Sequence, residues 1–137
     1  SQHVTMNISN RKKFFSEAFR VLKKDSFFAF TEHGLGPEGN PIFPLPWADS
    51  SEMSFLLPPE TTISILKDIG FFDIKIIETA DKYISGYEKL IGLKSANKKP
   101  ILGIHVIGGE SMNERSTNSM QSIKENRTLP FEIICNK

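Results

Sequence analysis

Glu32 and His33 stand side by side where a short apolar run gives out, in S-F-F-A-F-T-E-H-G-L-G over residues 26–36. A carboxylate and an imidazole so placed suit the orientation of a substrate or the movement of a proton, because an unperturbed imidazole titrates near neutrality. The run Phe27-Phe28-Ala29-Phe30 lacks clean alternation, which is how a strand buried on both faces of a parallel sheet reads. Three polar side chains and the permissive Gly34 end it. Ligands bind at the carboxyl ends of strands in open α/β sheets, so both residues are expected to face a substrate. The plainer alternative is a hydrogen-bonded pair that holds the start of the following loop.

The flanking segments decide that residues 27–31 are strand rather than helix. Ser9-Asn10 can cap a helix over Arg11–Lys23, with Phe14, Phe15, Ala18, Phe19, Val21 and Leu22 on its apolar face. Asp25-Ser26 turns the chain into the strand, which makes half of a βαβ unit. From His33 to Pro59 the chain holds six of its eight prolines, which excludes a helix or a central strand. Phe43, Trp47, Met53, Phe55, Leu56 and Leu57 make that stretch too apolar for a linker, so it is expected to be an ordered lid. Trp47 and Met53 are candidates to wall a substrate pocket, with core packing as the competing role, above all for Met53.

Pro58-Pro59-Glu60 opens a second helix, which Gly70 closes, and Phe71–Glu78 alternates as a strand with one better-covered face. Asp81–Leu93 reads as a helix, residues 95–100 as a basic loop, residues 101–107 as ambiguous and Ser111–Asn126 as a polar helix. Leu129–Cys135 is a strand whose proline lies near its start. The bounds are therefore an opening segment 1–10, helix and strand 11–33, lid 34–59, and helices with two strands over 60–137, all in one domain.

The 137 residues carry 39% hydrophobic and 24% charged side chains and a net charge of +1. That balance predicts neither nucleic-acid nor membrane-surface binding. A single cysteine, Cys135, excludes an internal disulfide and a multi-cysteine zinc site, and a reducing cytoplasmic setting is expected. No stretch approaches the roughly 18 apolar residues of a membrane span, and no secretory pattern opens the chain. His105 inside an apolar run reads as structural, Cys135 as a small core residue, and Lys94–Lys99 as a solvated loop. His3, His33 and His105 lack metal-ligand spacing, so no metal is expected.

The order helix, strand, lid, helix, strand, helices, strand resembles the second half of a class I S-adenosylmethionine-dependent methyltransferase. Q-H-V-T-M-N-I, residues 2–8, resembles the segment after the fourth strand in small-molecule enzymes related to the sarcosine, dimethylglycine and ubiquinone-type methyltransferases. F-F-S-E-A-F-R-V-L-K-K-D-S-F-F-A-F-T-E-H, residues 14–33, resembles their acidic-x-x-R-V-L-K-P-G-G helix, turn and fifth strand, with Lys24-Asp25-Ser26 in place of Pro-Gly-Gly. L-K-D-I-G-F-F-D-I-K, residues 66–75, resembles their sixth-strand unit.

The resemblance implies an α/β fold, the C-terminal half of a Rossmann-like domain, with strands in the order 5-7-6 and the seventh antiparallel between its neighbours. It implies S-adenosylmethionine as cofactor and a small-molecule substrate. Gln2, Met6, Asn7, Trp47 and Met53 would then contact substrate, Gln2 and His3 the cofactor, and His3, Glu32 and His33 would be catalytic; plain disorder of the first residues is the competing expectation for Gln2 and His3. The family's glycine-rich loop and ribose-binding acid belong to its first half, and no G-x-G-x-x-G occurs in these residues. The chain alone is therefore expected to be inactive and to bind no cofactor, as a fragment or as a binding and assembly module. A start inside a motif points to a cut. Strand 27–31 would be an apolar edge, inviting a homo-oligomer such as a dimer, or a complementing N-terminal half.

Overall fold

A computed structural model describes residues 1–95, 106, 109 and 111–137. A short turn of 3-10 helix at Thr5–Asn7 leads to helix α1 (Arg11–Val21), strand β1 (Phe27–Leu35) and, after a proline-rich excursion, helix α2 (Pro59–Ile69). Strand β2 (Phe72–Glu78), helices α3 (Ala80–Ser95) and α4 (Met112–Lys124) and strand β3 (Thr128–Asn136) follow. The sheet order is β1-β3-β2, with β3 antiparallel to both neighbours. This is the arrangement 5-7-6 that the resemblance implies. The stretches 96–105 and 107–108, including His105 and most of the basic and ambiguous segments, lie outside the described residues.

Local chemistry sets the element ends. The Asn10 side chain accepts the Lys13 N–H at 2.9 Å and caps α1. Gly70, at φ 115°, donates its N–H to the carbonyls of Leu66 and Lys67 and closes α2. Both helices lie on one face of the sheet, where Phe15, Phe30, Leu66, Phe71, Phe131, Ile133 and Cys135 form the buried core. Phe19 meets Phe71 edge-on at 4.9 Å and joins the end of α1 to the start of β2.

Three expectations need correction. β1 is not buried on both faces: Phe28 and Phe30 pack on the helices, whereas Phe27 is 66% exposed. An antiparallel strand covers one edge only, and the far face of the sheet stays open around Phe27, Phe72, Ile77 and Ile134. The strand also does not stop at Thr31, because β3 pairs with it from Phe27↔Asn136 to Leu35↔Thr128. Gly34 is therefore inside the ladder, where a Cβ would lie 2.8 Å from the Phe131 ring. Finally, the outer edge of β1 is partly covered by the chain's own first residues. The terminal ammonium reaches the Ala29 carbonyl at 2.9 Å, the Thr31 N–H reaches the Ser1 carbonyl at 3.1 Å, and Gln2 bridges Thr31 in parallel.

The proline-rich excursion is fastened by α4. Arg115 donates to the Leu45 carbonyl at 2.7 Å, Asn118 to the Pro44 carbonyl at 3.1 Å, and the Ser122 hydroxyl accepts the Ile42 N–H at 2.9 Å. The polar helix thus turns hydroxyls inward, and Ser116, Ser119 and Ser122 are buried. Its polarity serves backbone groups that prolines leave without a ladder.

Gly36 N–H donates to the Arg127 carbonyl at 2.9 Å, and a Cβ on Gly36 would fall 1.9 Å from the Asn126 carbonyl oxygen. Gly36→Ala is expected to lower unfolding stability by about 2–3 kcal/mol through overpacking against backbone. Gly86→Ala, in open space on α3, should be neutral or stabilising by up to about 1 kcal/mol. Urea titrations of the two variants check the contrast.

Candidate functional site

Adjacent residues of a strand point to opposite faces, so β1 separates the two groups it delivers. Glu32 faces the α1–α2 side, is fully buried and forms an ion pair with Arg11. Arg11 also donates to the Phe55 carbonyl at 2.9 Å and to the Ile8 carbonyl at 3.2 Å. Burial pushes the Glu32 carboxyl up, while the Arg11 guanidinium opposes that rise. The expectation that Glu32 and His33 act together at one substrate surface is not met.

His33 faces the other side and is 2% exposed. Its ring lies 4.7 Å from Trp47, 5.0 Å from Tyr83 at 80°, and 6.0 Å from His3. Burial, followed by the nearby His3, lowers its pKa to about 3, so the imidazole is neutral across the ordinary pH range. Its Nδ1 is buried without a hydrogen-bond partner. His3 Nε2 and the Tyr83 hydroxyl are 3.1 Å apart, and burial lowers the His3 pKa as well.

These groups line a cavity of about 380 Å³ at the carboxyl end of β1, together with Met6, Asn7, Pro46 and Tyr87. The Tyr87 hydroxyl donates to the Ser119 hydroxyl at 3.0 Å, and Trp47 Nε1 donates to the Ser54 hydroxyl at 3.0 Å, so α4 and the proline-rich excursion hold the wall rings. Five of the residues singled out from the sequence gather here: His3, Met6, Asn7, His33 and Trp47. Gln2 does not; it lines a shallow groove on the open sheet face with Ala29, Thr31, Glu132 and Ile134. Met53 is 53% exposed and lies outside the cavity, because the short turn at Ser51–Met53 directs it to solvent. Tyr83 and Tyr87 fall in the helix expected over Asp81–Leu93 and were not among the site candidates, although their spacing of four residues puts both side chains on one face of α3.

Cys135 is buried in the core, and burial pushes its thiol up to about 11. Among the described residues no group of three or more His, Cys, Asp or Glu side chains is placed to hold a metal ion. S-Adenosylmethionine would need an acid for its ribose hydroxyls and a glycine turn for close backbone approach. Among the described residues the cavity offers no carboxylate, Glu32 is engaged with Arg11 on the α1–α2 face, and Gly34 packs against Phe131. The residues present do not fit the whole cofactor.

Two outcomes follow from the buried charges. Because the folded-state pKa of His33 lies below that of the unfolded chain, the unfolded chain binds the proton first as pH falls. Stability is therefore lost between about pH 6.5 and 3, by about 2 kcal/mol at pH 5. His33→Gln should remove this part of the slope in denaturation curves at stepped pH. Arg11→Met leaves the Glu32 carboxylate buried without its partner and is expected to cost about 3–5 kcal/mol. Adding Glu32→Leu should recover much of that loss, as read by the same curves.

Neither a protein-family profile nor a curated protein sequence matches the chain. Solved structures do. A phosphoethanolamine N-methyltransferase 2 from Haemonchus contortus, with phosphomonomethylethanolamine and S-adenosylhomocysteine, superposes with a TM-score of 0.71 at 17% identity, over 100% of this chain and 32% of that one. A protein assigned as a sarcosine dimethylglycine methyltransferase from Galdieria sulphuraria gives 0.70 at 16%, over 98% of this chain and 50% of that one. The mycolic acid cyclopropane synthase CmaA1 gives 0.72 at 15%, over 100% and 54%. The chain thus spans about a third to a half of the length of the structures it matches. Together with the β1-β3-β2 order, these superpositions identify its fold as that of the C-terminal part of an S-adenosylmethionine-dependent methyltransferase domain.

Proposed function

We propose that this chain supplies the acceptor side of a small-molecule methyl-transfer site, with S-adenosylmethionine as the donor in the domain whose fold it shares. The observation that carries the reading is the cavity at the carboxyl end of β1, walled by His3, His33, Trp47 and Tyr83, where ligands of open α/β sheets bind. His33 presents a neutral ring against which an acceptor rests, and Trp47 closes over that ring from the proline-rich lid. His3 is the group suited to take a proton from an acceptor nucleophile, since burial lowers its pKa and so favours the neutral ring, and the Tyr83 hydroxyl lies 3.1 Å from its Nε2. Asn7 supplies an amide at the same wall, and Met6 an apolar floor. Glu32 acts at one remove: with Arg11 it sets the position of β1, and hence of His33.

The donor side is another matter. With neither a glycine turn nor a ribose-binding acid in the described cavity, the chain by itself binds an acceptor and no donor, and is inactive alone. A second reading, a non-catalytic assembly module, is favoured by the open sheet face that exposes Phe27, Phe72, Ile77 and Ile134. That face suits a second copy of the chain or a complementing methyltransferase half, the latter by taking the place of residues 1–3 along the edge at residues 27–31. A reducing cytoplasmic setting accords with the one free cysteine. Among the described residues no helix is long and apolar enough to cross a membrane.

Calorimetric titration of the chain with S-adenosylmethionine and S-adenosylhomocysteine tests the division of labour. No saturable heat is expected up to millimolar ligand. A dissociation constant in the micromolar range would overturn the claim that the donor side lies elsewhere.

A further inference from the structure

We infer that the cavity between β1, α3 and the proline-rich lid takes an uncharged, planar ring bearing a hydroxyl group. The inference rests on the reading of this cavity as an acceptor site, and it names the class of acceptor.

Charge is the first argument. Among the described residues that line the cavity there is no Asp, Glu, Lys or Arg. The buried ion pair of Arg11 with Glu32 lies on the opposite face of β1. An ionic ligand would leave water without gaining a counter-charge, which is unfavourable in a half-enclosed site. The wall carries no fixed charge: His33 stays neutral above about pH 3, burial lowers the pKa of His3, and burial raises the pKa of both Tyr83 and Tyr87, so each shift favours the uncharged form.

Ring geometry is the second argument. Trp47 and His33 are tilted at 34° with centroids 4.7 Å apart, while Tyr83 stands at 80° to both His33 and His3. A flat ring entering this wall meets faces and edges, the two arrangements that aromatic pairs favour. Faces also attract cations, but among the described residues the lining has no carboxylate to offset the water a cation would give up. A volume of about 380 Å³ lies at the small end of the ordinary ligand range.

The polar groups are few, and they suit one hydroxyl. The Tyr83 hydroxyl, already within 3.1 Å of His3 Nε2, and the Asn7 side chain lie at the same wall. Of the seven buried side-chain polar atoms without a partner among the described residues, His33 Nδ1 is the one on a residue that lines this cavity.

The test uses five small probes: phenol, toluene, cyclohexanol, tetramethylammonium and phenyl phosphate. Trp47 is the single tryptophan, so its indole N–H gives one resonance that reports occupancy during titration. Phenol is expected to bind about threefold to tenfold more tightly than cyclohexanol, and more tightly than either ion. Equal binding of phenol and cyclohexanol, or tighter binding of tetramethylammonium or phenyl phosphate, overturns the inference. Tyr83→Phe keeps the ring and removes the hydroxyl. It should abolish the preference for phenol over toluene, and a preference that survives overturns the hydroxyl assignment. Because these titrations contain no donor, a failed ring preference leaves the acceptor reading standing, whereas donor binding in the calorimetric experiment overturns the claim that the donor side lies elsewhere without touching ring preference.

Discussion

The guanidinium of Arg11 meets the carboxylate of Glu32 in the interior, and four separate stretches of chain depend on that meeting. Arg11 opens α1, Glu32 sits in the middle of β1, Phe55 ends the proline-rich excursion, and Ile8 follows the turn that carries Met6 and Asn7. Forming such a pair returns little net stability, because both ions must leave water. Its value is geometric. A guanidinium offers donors in a fixed planar fork, so the three acceptors it satisfies are held at fixed angles to one another. His33 follows Glu32 by one residue, and its ring is therefore placed by a contact on the far side of the sheet. The pocket wall inherits its position from the core.

How much of this was legible follows from what a linear pattern can encode. Asn10 as a cap, Gly70 as a helix stop and the antiparallel placement of β3 between β1 and β2 were all readable, because each rests on local chemistry or on a recurring order of elements. The length of β1 was not. Residues 31–35 look like the end of a strand until Thr128–Pro130, distant in sequence, supply the ladder that extends it. Glu32 beside His33 invited a joint role, but the two-residue period of a strand divides neighbours between faces, and hydropathy does not say which face holds the ligand. Arg11 looked like an ordinary first residue of a helix, since nothing local announces a buried partner 21 positions away.

Helix α4 shows the same limit from the other direction. Its run of serines and asparagines suggests a solvated helix with few anchors, yet Ser119 and Ser122 are fully buried. Each has a partner in another part of the chain, the Tyr87 hydroxyl for one and the Ile42 N–H for the other. A proline-rich excursion outside any ladder leaves carbonyls and N–H groups to be met by side chains, and α4 supplies donors in Arg115 and Asn118 and an acceptor in Ser122. Composition recorded the polarity of α4, and only the fold explains it.

The placement of β3 carries a consequence for how the molecule comes into being. It follows both β1 and β2 in the chain, yet it is the strand between them. While a ribosome is still making residues 79–127, neither earlier strand has its neighbour, and Phe28, Phe30, Ile74 and Ile76 are without the ladder that organises them. Sheets built from such distant pairings form late and leave sticky edges in the meantime. The nascent chain thus passes through a long interval as two helix–strand hairpins awaiting a common centre, and its yield in a cell is set by what shields them until Thr128–Asn136 emerges.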